Sequence, residues 1–383
     1  MKFKTLDNLN VKNKTVLLRA DLNSEISKGK VILSDRITET AKTIQELKDK
    51  DAKIVILAHQ SRPGKKDFTN LEQHAKLLSK YTKVKFVPGI INQKAIQEIQ
   101  NLKPKEAVLL DNIRNLKEEF SPSTKTKLVQ TLAPLANIYI NDAFSASHRK
   151  QTSIVSFPKV LPSAIGRTMQ KELESLEKLS KMKNAIFILG GSKMDNLLLM
   201  KKRKVLTCGV YGHMCLIAKN YKLGAQEKYL KKEIKNYEEE IKTLKKLVLG
   251  ARTPMDLAVK ANSKRKELSI EEFPSKHEVF DIGAKTIKLY KKQIKHADAI
   301  FMKGTAGCTE DKKFQKGTKE LLKAIAKSKA HSVLSGGHTS TALKKFKINK
   351  KKFDYVSLSG GALVFYLTGK RLPGLDALIK KRS

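Results

Sequence analysis

AIFILGGSK, residues 185–193, sets five residues suited to a buried strand directly before two glycines, a serine and a lysine. An apolar run of that length, with no polar alternation, suits a strand covered on both faces, as in a parallel sheet. The glycine pair lets backbone N–H groups come close to a phosphate where a side chain would stand in the way. Outward from this stretch, the same order of apolar run, loop and helical-period segment recurs. The other runs fall at 15–18, 53–57, 107–110 and 138–140 in the first part, and at 205–207, 246–249, 299–302, 332–334 and 355–358 in the second. The pattern predicts an α/β protein built as two doubly wound parallel-sheet (Rossmann-like) domains facing a cleft, joined by a hinge helix. The expected boundaries are 1–165, an interdomain helix at 166–182, and 183–367. In the joining segment, residues 163–181, Met169, Leu173 and Leu176 share one helical face. That periodicity reads equally well as a crossover helix inside one domain. Residues 219–246, rich in Lys and Glu, read as an exposed helical surface.

At 383 residues the chain is long enough for two cores. Its three cysteines, Cys208, Cys215 and Cys308, are odd in number and form no CxxC, which argues against a disulfide framework or a zinc knuckle. Cys208 and Cys215, flanked by apolar residues, read as packing groups. No apolar run reaches the length of a membrane helix and the start has no secretory pattern, so a cytoplasmic protein without a membrane partner is expected. The 78 basic and 37 acidic residues leave a net charge of +41. The lysines are scattered, tryptophan is absent and no RNP, zinc-finger or basic-zipper pattern occurs, so the charge reads as a solvated coat with no specific nucleic-acid partner.

Ligands of open parallel sheets bind beyond the carboxyl ends of the strands. In the first half those ends carry Arg19, Asp21 and Asn23, then His59 and Arg62, then Arg114, then His148 and Arg149. Only 11 of the 78 basic residues are arginine, and the five in the first 150, Arg19, Arg36, Arg62, Arg114 and Arg149, all fall in or beside these loops. A planar guanidinium grips phosphate or carboxylate with two parallel bonds, which an ammonium cannot do. The set implies a small polyanionic substrate, although any one of these arginines also fits a helix cap or an ion pair, and His59 alone also fits a core position. In the second half the strand ends carry Gly190 with Gly191, Gly304 with Gly307, Gly336 with Gly337, and Gly360 with Gly361. Four such loops imply a nucleotide site, yet neither GxxxxGK[ST] nor GxGxxG occurs. Lys193 sits in the first of them, either as a phosphate contact or as one more surface lysine.

In order, LLRADLN, SDRI, AHQSRPG, LLDNIRN, NDAFSASHR, GRTMQKEL, LGGSK, DIGAKT, KGTAGCTE, LSGGHT and LSGGALVFYLTGKRLPGLDAL resemble phosphoglycerate kinase over essentially the whole chain. AHQSRPG and GGHT are similar to the archaeal branch of that family. The resemblance implies reversible phosphoryl transfer between 1,3-bisphosphoglycerate and ADP, giving 3-phosphoglycerate and ATP, with Mg²⁺, in glycolysis or gluconeogenesis, by a hinge-bending monomer. It implies a 3-phosphoglycerate site of Asp21, Leu22, Asn23, Arg36, His59, Gln60, Ser61, Arg62, Arg114 and Arg149. For the nucleotide it implies Lys193, Glu310, Gly336, Gly337, His338 and Thr339, with loops near Gly209 and residues 281–283 adding to the lining. Arg36 and Lys193 would act on the moving phosphoryl group, and the tail, 368–383, would fold back on the first domain. This chain departs from the wider family pattern in having Leu197 in place of a second lysine, His338 in place of an aspartate, and Lys303 and Thr305 in place of the Asn and Pro of one loop. With His338 a poor magnesium partner, Asp195 is the nearest carboxylate to the glycine turn, and reads either as a metal contact or as the acid of a helix's first turn. The alternatives are a kinase for another carboxylate, or a nucleic-acid-binding protein that kept the fold and lost the activity.

Overall fold

The structure, a computed structural model, describes residues 3–201 and 204–379. Contacts divide the described residues into two compact units, one within Met1–Glu174 and Gly369–Ser383, the other within Ser175–Thr368.

In the first unit six parallel strands lie in the order Lys85–Val87, Ala107–Leu110, Lys53–Leu57, Thr15–Arg19, Ile138–Asn141, Ser163–Ile165. Side chains alternate between the faces of a strand, and the uninterrupted apolar runs supply both faces. Val16, Leu18, Ile54 and Ile56 enter one core, while Leu17, Val55 and Leu57 enter the other. Each such side chain contributes about 1.5–3 kcal/mol by leaving water.

In the second unit five parallel strands run in the order Lys204–Thr207, Ala185–Leu189, Ala299–Lys303, His331–Ser335, Tyr355–Ser357. Ile186, Ile188, Ile300, Met302 and Leu334 fill one face. Beside it stands an antiparallel sheet, Lys264–Ser269, Asp256–Ala261, Val279–Ile282, which the apolar runs do not reveal.

The run at 246–249 is not a strand. Tyr237, Ile241, Leu244 and Val248 are buried at helical spacing along the helix Tyr237–Lys245 and the following turn Val248–Gly250, leaving Leu249 84% exposed. Residues 219–246 likewise fold as two helices, Ala225–Glu233 and Tyr237–Lys245, each burying one side. At the start of the joining segment Ser163–Ile165 is a sheet strand, and the helix is Arg167–Lys181. That helix starts on Asp142, which accepts the Met169 N–H at 2.9 Å, and Arg167 reaches Asp7 and Glu46. Further along, Ser175 Oγ lies 3.2 Å from His331 Nε2, so the boundary between the two units falls within the helix.

The chain's later residues rejoin the first unit. Gly374 N donates to Ser147 O at 2.9 Å, and a Cβ at 374 would stand 2.7 Å from Ile154 Cγ2 and 2.9 Å from Ser147 Cα. Residues 380–383 of the expected tail lie outside the described residues. Gly374→Leu is therefore expected to destabilise the first unit by about 1–3 kcal/mol through overpacking. Chemical denaturation followed by a probe in that unit checks this, and an unchanged midpoint would show that the tail is not seated there.

Candidate active site

The loop after Thr15–Arg19 turns on Asp21, whose Oδ1 accepts the Asn23 N–H at 3.1 Å. Its Oδ2 takes Arg36 Nε at 2.9 Å and the Ser145 hydroxyl, so one carboxylate aims one arginine. Arg36 also donates to Asn23 O at 2.6 Å, and Asn23 Oδ1 holds the Ser61 N–H at 2.6 Å. Arg114 donates to Ser61 O and to Gln151 Oε1 at 3.4 Å. Arg62 is exposed in the loop beyond Ser61, and Arg149 is partly buried beside His148.

The fold holds these cationic groups close enough to act on one another's charge. Burial first, and then the charges of Arg19, Arg114, Arg36 and Arg149, hold His59 well below the ordinary histidine range. It is neutral, and because the Arg19 guanidinium 3.3 Å from Nδ1 can only donate, the ring proton sits on Nε2. Burial and the charges of Arg19 and Arg149 pull Arg114 down to about 9, and burial followed by Arg62 lowers Arg149. Cations crowded this closely raise one another's energy, and a bound polyanion relieves that repulsion.

Three of the expected residues have their side chains buried. Leu22 is completely buried in the apolar core, so its side chain packs there. Gln60 is fully buried and spends its amide on Ser24, Asp67 O and His74. Arg19 is also fully buried, bonded to Ser153 Oγ, Ala20 O and His59, and supports the arginine set from behind. Ser153, Gln151 and Glu119, which accepts from Ser153 at 2.7 and 2.8 Å, help to fix the others and carry no sequence signal as single polar residues.

In the second unit the loops of Gly190 with Gly191, Gly304 and Gly336 converge by close backbone approach, whereas a Cβ on Gly360 would meet nothing within 4 Å. A Cβ on Gly304 would lie 2.3 Å from Gly190 O, and Gly304 N donates to Thr339 Oγ1 at 3.1 Å. Gly336 and Gly337 open the helix Gly337–Lys345, which carries His338 and the buried Thr339. A cavity of about 360 Å³ is lined by Gly191, Gly209, His213, Phe280, Glu310 and His338 among others. Lys193 is exposed beside it, on the turn after Gly191. His213 and Gln226 were not legible as lining residues, having no motif around them. Gln226 Oε1 accepts the Val279 N–H at 2.8 Å and its Nε2 lies 3.2 Å from His213 Nδ1. Cys208 and Cys215 are buried.

Asp195 opens a short turn, Met194–Leu199, and its Oδ1 accepts from Lys303 Nζ at 2.6 Å. Burial lowers the Lys303 pKa, the Asp195 bond pushes it back up, and the nearby charge of Lys193 adds a smaller downward push. Among the described residues no group of three or more His, Cys, Asp or Glu could hold a metal ion, and no helix is long and apolar enough to cross a membrane.

The sequence profile of phosphoglycerate kinase matches residues 6–370. A phosphoglycerate kinase of Methanothermus fervidus is 38% identical over 100% of this chain and 98% of its own. One of Aeropyrum pernix is 40% identical over 98% of this chain and 95% of its own. The crystal structure of phosphoglycerate kinase from Pyrococcus horikoshii superposes with a TM-score of 0.87 at 32% identity, covering 98% of both chains. With two parallel-sheet units, one presenting arginines and the other glycine loops at its strand ends, the chain belongs to the phosphoglycerate kinase family.

Proposed function

We propose that this chain transfers a phosphoryl group reversibly between 1,3-bisphosphoglycerate and ADP, giving 3-phosphoglycerate and ATP, in glycolysis or gluconeogenesis. The observation that carries the reading is the crowding of Arg36, Arg114 and Arg149 around a neutral His59, a cationic nest that suits a phosphorylated acid. In this assignment Asp21 and Asn23 aim Arg36, Ser61 and Gln60 shape the loop, and Arg62, Arg114, Arg149 and His59 Nε2–H hold the anion. The glycine loops, with Lys193, Glu310, His338 and Thr339, hold the nucleotide.

In the ATP-consuming direction the attacking group is the substrate carboxylate. Carboxylic acids ionise near pH 4, so no general base is needed. The carboxylate oxygen forms its bond to the γ-phosphorus, in line, as the bond to the bridging oxygen breaks and ADP leaves with the electron pair. Negative charge spreads over the equatorial oxygens, where Lys193 and Arg36 are assigned to meet it. Magnesium enters as the companion of the nucleotide and supplies further charge neutralisation. The residues fit that role and not a resident cage: among the described residues no three His, Cys, Asp or Glu gather to hold an ion, Asp195 has an oxygen engaged by Lys303, and Glu310 accepts from Cys308 and Thr309. We assign the enzyme to the cytoplasm as a monomer.

A coupled assay with 3-phosphoglycerate and MgATP tests the reading, and absence of turnover would reject it. Arg36→Ala, Arg62→Ala and Arg149→Ala are each expected to weaken 3-phosphoglycerate binding by roughly 10- to 100-fold, the effect of one lost charge-assisted contact, with ATP affinity unchanged. Calorimetric titration of both ligands decides it, equal losses for ATP counting against two separate sites. Because the two ligand sets belong to different units, transfer requires the units to close on them jointly. The radius of gyration in solution should fall with 3-phosphoglycerate and a non-reactive MgATP analogue together, more than with either alone. No change with both ligands would exclude closure.

A further inference from the structure

Lys303 ends the central strand of the five-stranded sheet and is 4% exposed. It grips the turn that carries Lys193 at two points. Ahead of Lys193, its backbone carbonyl accepts the Gly190 N–H at 2.8 Å. Beyond Lys193, its ammonium donates to Asp195 Oδ1 at 2.6 Å and to Asn196 Oδ1 at 2.8 Å. Asn196 Nδ2 donates back to Gly190 O at 3.0 Å, closing a ring of contacts through residues 190–196 with exposed Lys193 in its middle.

A buried ammonium is retained only where opposite charge and hydrogen bonds compensate it. Here compensation comes from the two residues that follow Met194, so the electrostatic need of Lys303 fixes the path of this turn. The same bond engages one oxygen of Asp195, the carboxylate two residues from Lys193.

We propose that Lys303 is a positioning residue for Lys193: by holding Asp195 and Asn196 it fixes the turn that presents Lys193. Asp195 is thus the counter-ion of Lys303 and not a magnesium ligand. The inference rests on the assignment of Lys193 to the moving phosphoryl group. A long flexible side chain on a loose turn loses orientation, and small misplacements of an acting group cost rate far more than they cost ground-state binding.

The test compares wild type with Lys303→Met, Lys303→Arg, Asn196→Ala and Asp195→Ala. Lys303→Met is expected to lower kcat by about 10- to 100-fold with both KM values moving less than about threefold. Lys303→Arg, which keeps a donor for Asp195, should recover most of the rate. Asp195→Ala should lower kcat without changing the magnesium concentration for half-maximal rate. Amide hydrogen exchange in Lys303→Met should accelerate over residues 190–200 and not elsewhere. A kcat within twofold of wild type, unchanged exchange over 190–200, or a shifted magnesium requirement in Asp195→Ala would each overturn the proposal. Should Lys303→Met fail to fold, Asn196→Ala, which leaves the ion pair in place, is read by the same kcat and exchange criteria. Wild-type protein inert toward 3-phosphoglycerate and MgATP would reject the functional reading, while the exchange comparison still decides whether Lys303 fixes the turn.

Discussion

Lys193→Met is expected to lower kcat by about 10²- to 10³-fold, the usual effect of removing one donor aimed at transition-state charge. The methionine keeps the length and apolar body of the side chain, and Lys193 is exposed, so the fold should be unaffected. The ground-state nucleotide already has the glycine-loop N–H groups, so KM for MgATP should rise much less than kcat falls. Steady-state kinetics at saturating substrates measure both. A rate within twofold of wild type would make Lys193 an ordinary surface lysine and would remove the target on which Lys303 is argued to act.

Arg19→Met is expected to cost about 3–5 kcal/mol of stability, because it strands a buried carboxylate. Arg19 donates from Nε to Ser153 Oγ at 2.8 Å, and its NH2 lies 4.0 Å from Glu119 Oε1 with both side chains fully buried. Ser153 N and Oγ donate to Glu119 at 2.8 and 2.7 Å. Burial raises the Glu119 pKa and Arg19 opposes that rise. Without Arg19 the carboxyl rises further, so the folded protein disfavours its ionised form over a wider range. The stability deficit should therefore grow as pH rises past the already raised Glu119 pKa of the wild-type fold, and shrink in acid. Urea denaturation at pH 5 and pH 8 checks the sign, and adding Glu119→Gln should recover much of the loss. A deficit that is equal at both pH values would mean that Glu119 does not depend on Arg19.

Where strands are buried on both faces they were plain in the sequence, as at 53–57, 107–110 and 185–189, because burial leaves no room for polar residues. The antiparallel Lys264–Ser269 strand escaped notice, since its first three residues are Lys, Arg and Lys and its partner Asp256–Ala261 supplies most of the apolar surface. The run at 246–249 misled because four apolar-rich residues at a helix end have no period of their own. At the site, residue type points to a class of ligand, since arginine in lysine-rich sequence is a chemical choice. It could not separate Arg36, aimed by Asp21, from Arg19, enclosed by Ser153 and His59, because that difference lies in residues far away in the chain. Lys303 stood out as a departure, but its partners are 107 and 108 positions away and no local pattern names them.

The bond from Gly374 to Ser147 also bears on how the protein is made. A ribosome finishes every residue of the second unit before it reaches Gly374, so nascent chains hold a first unit that lacks its last piece throughout that time. The open seam includes Ile154 and Val155, apolar residues that Ala377 later covers, directly after the loop carrying His148 and Arg149. During synthesis the second unit can therefore fold as one uninterrupted stretch, while the first completes its core only after the residues around Gly374 have been made. A chain stalled before Gly374 would expose that apolar seam, the kind of surface that makes an incomplete fold prone to aggregate.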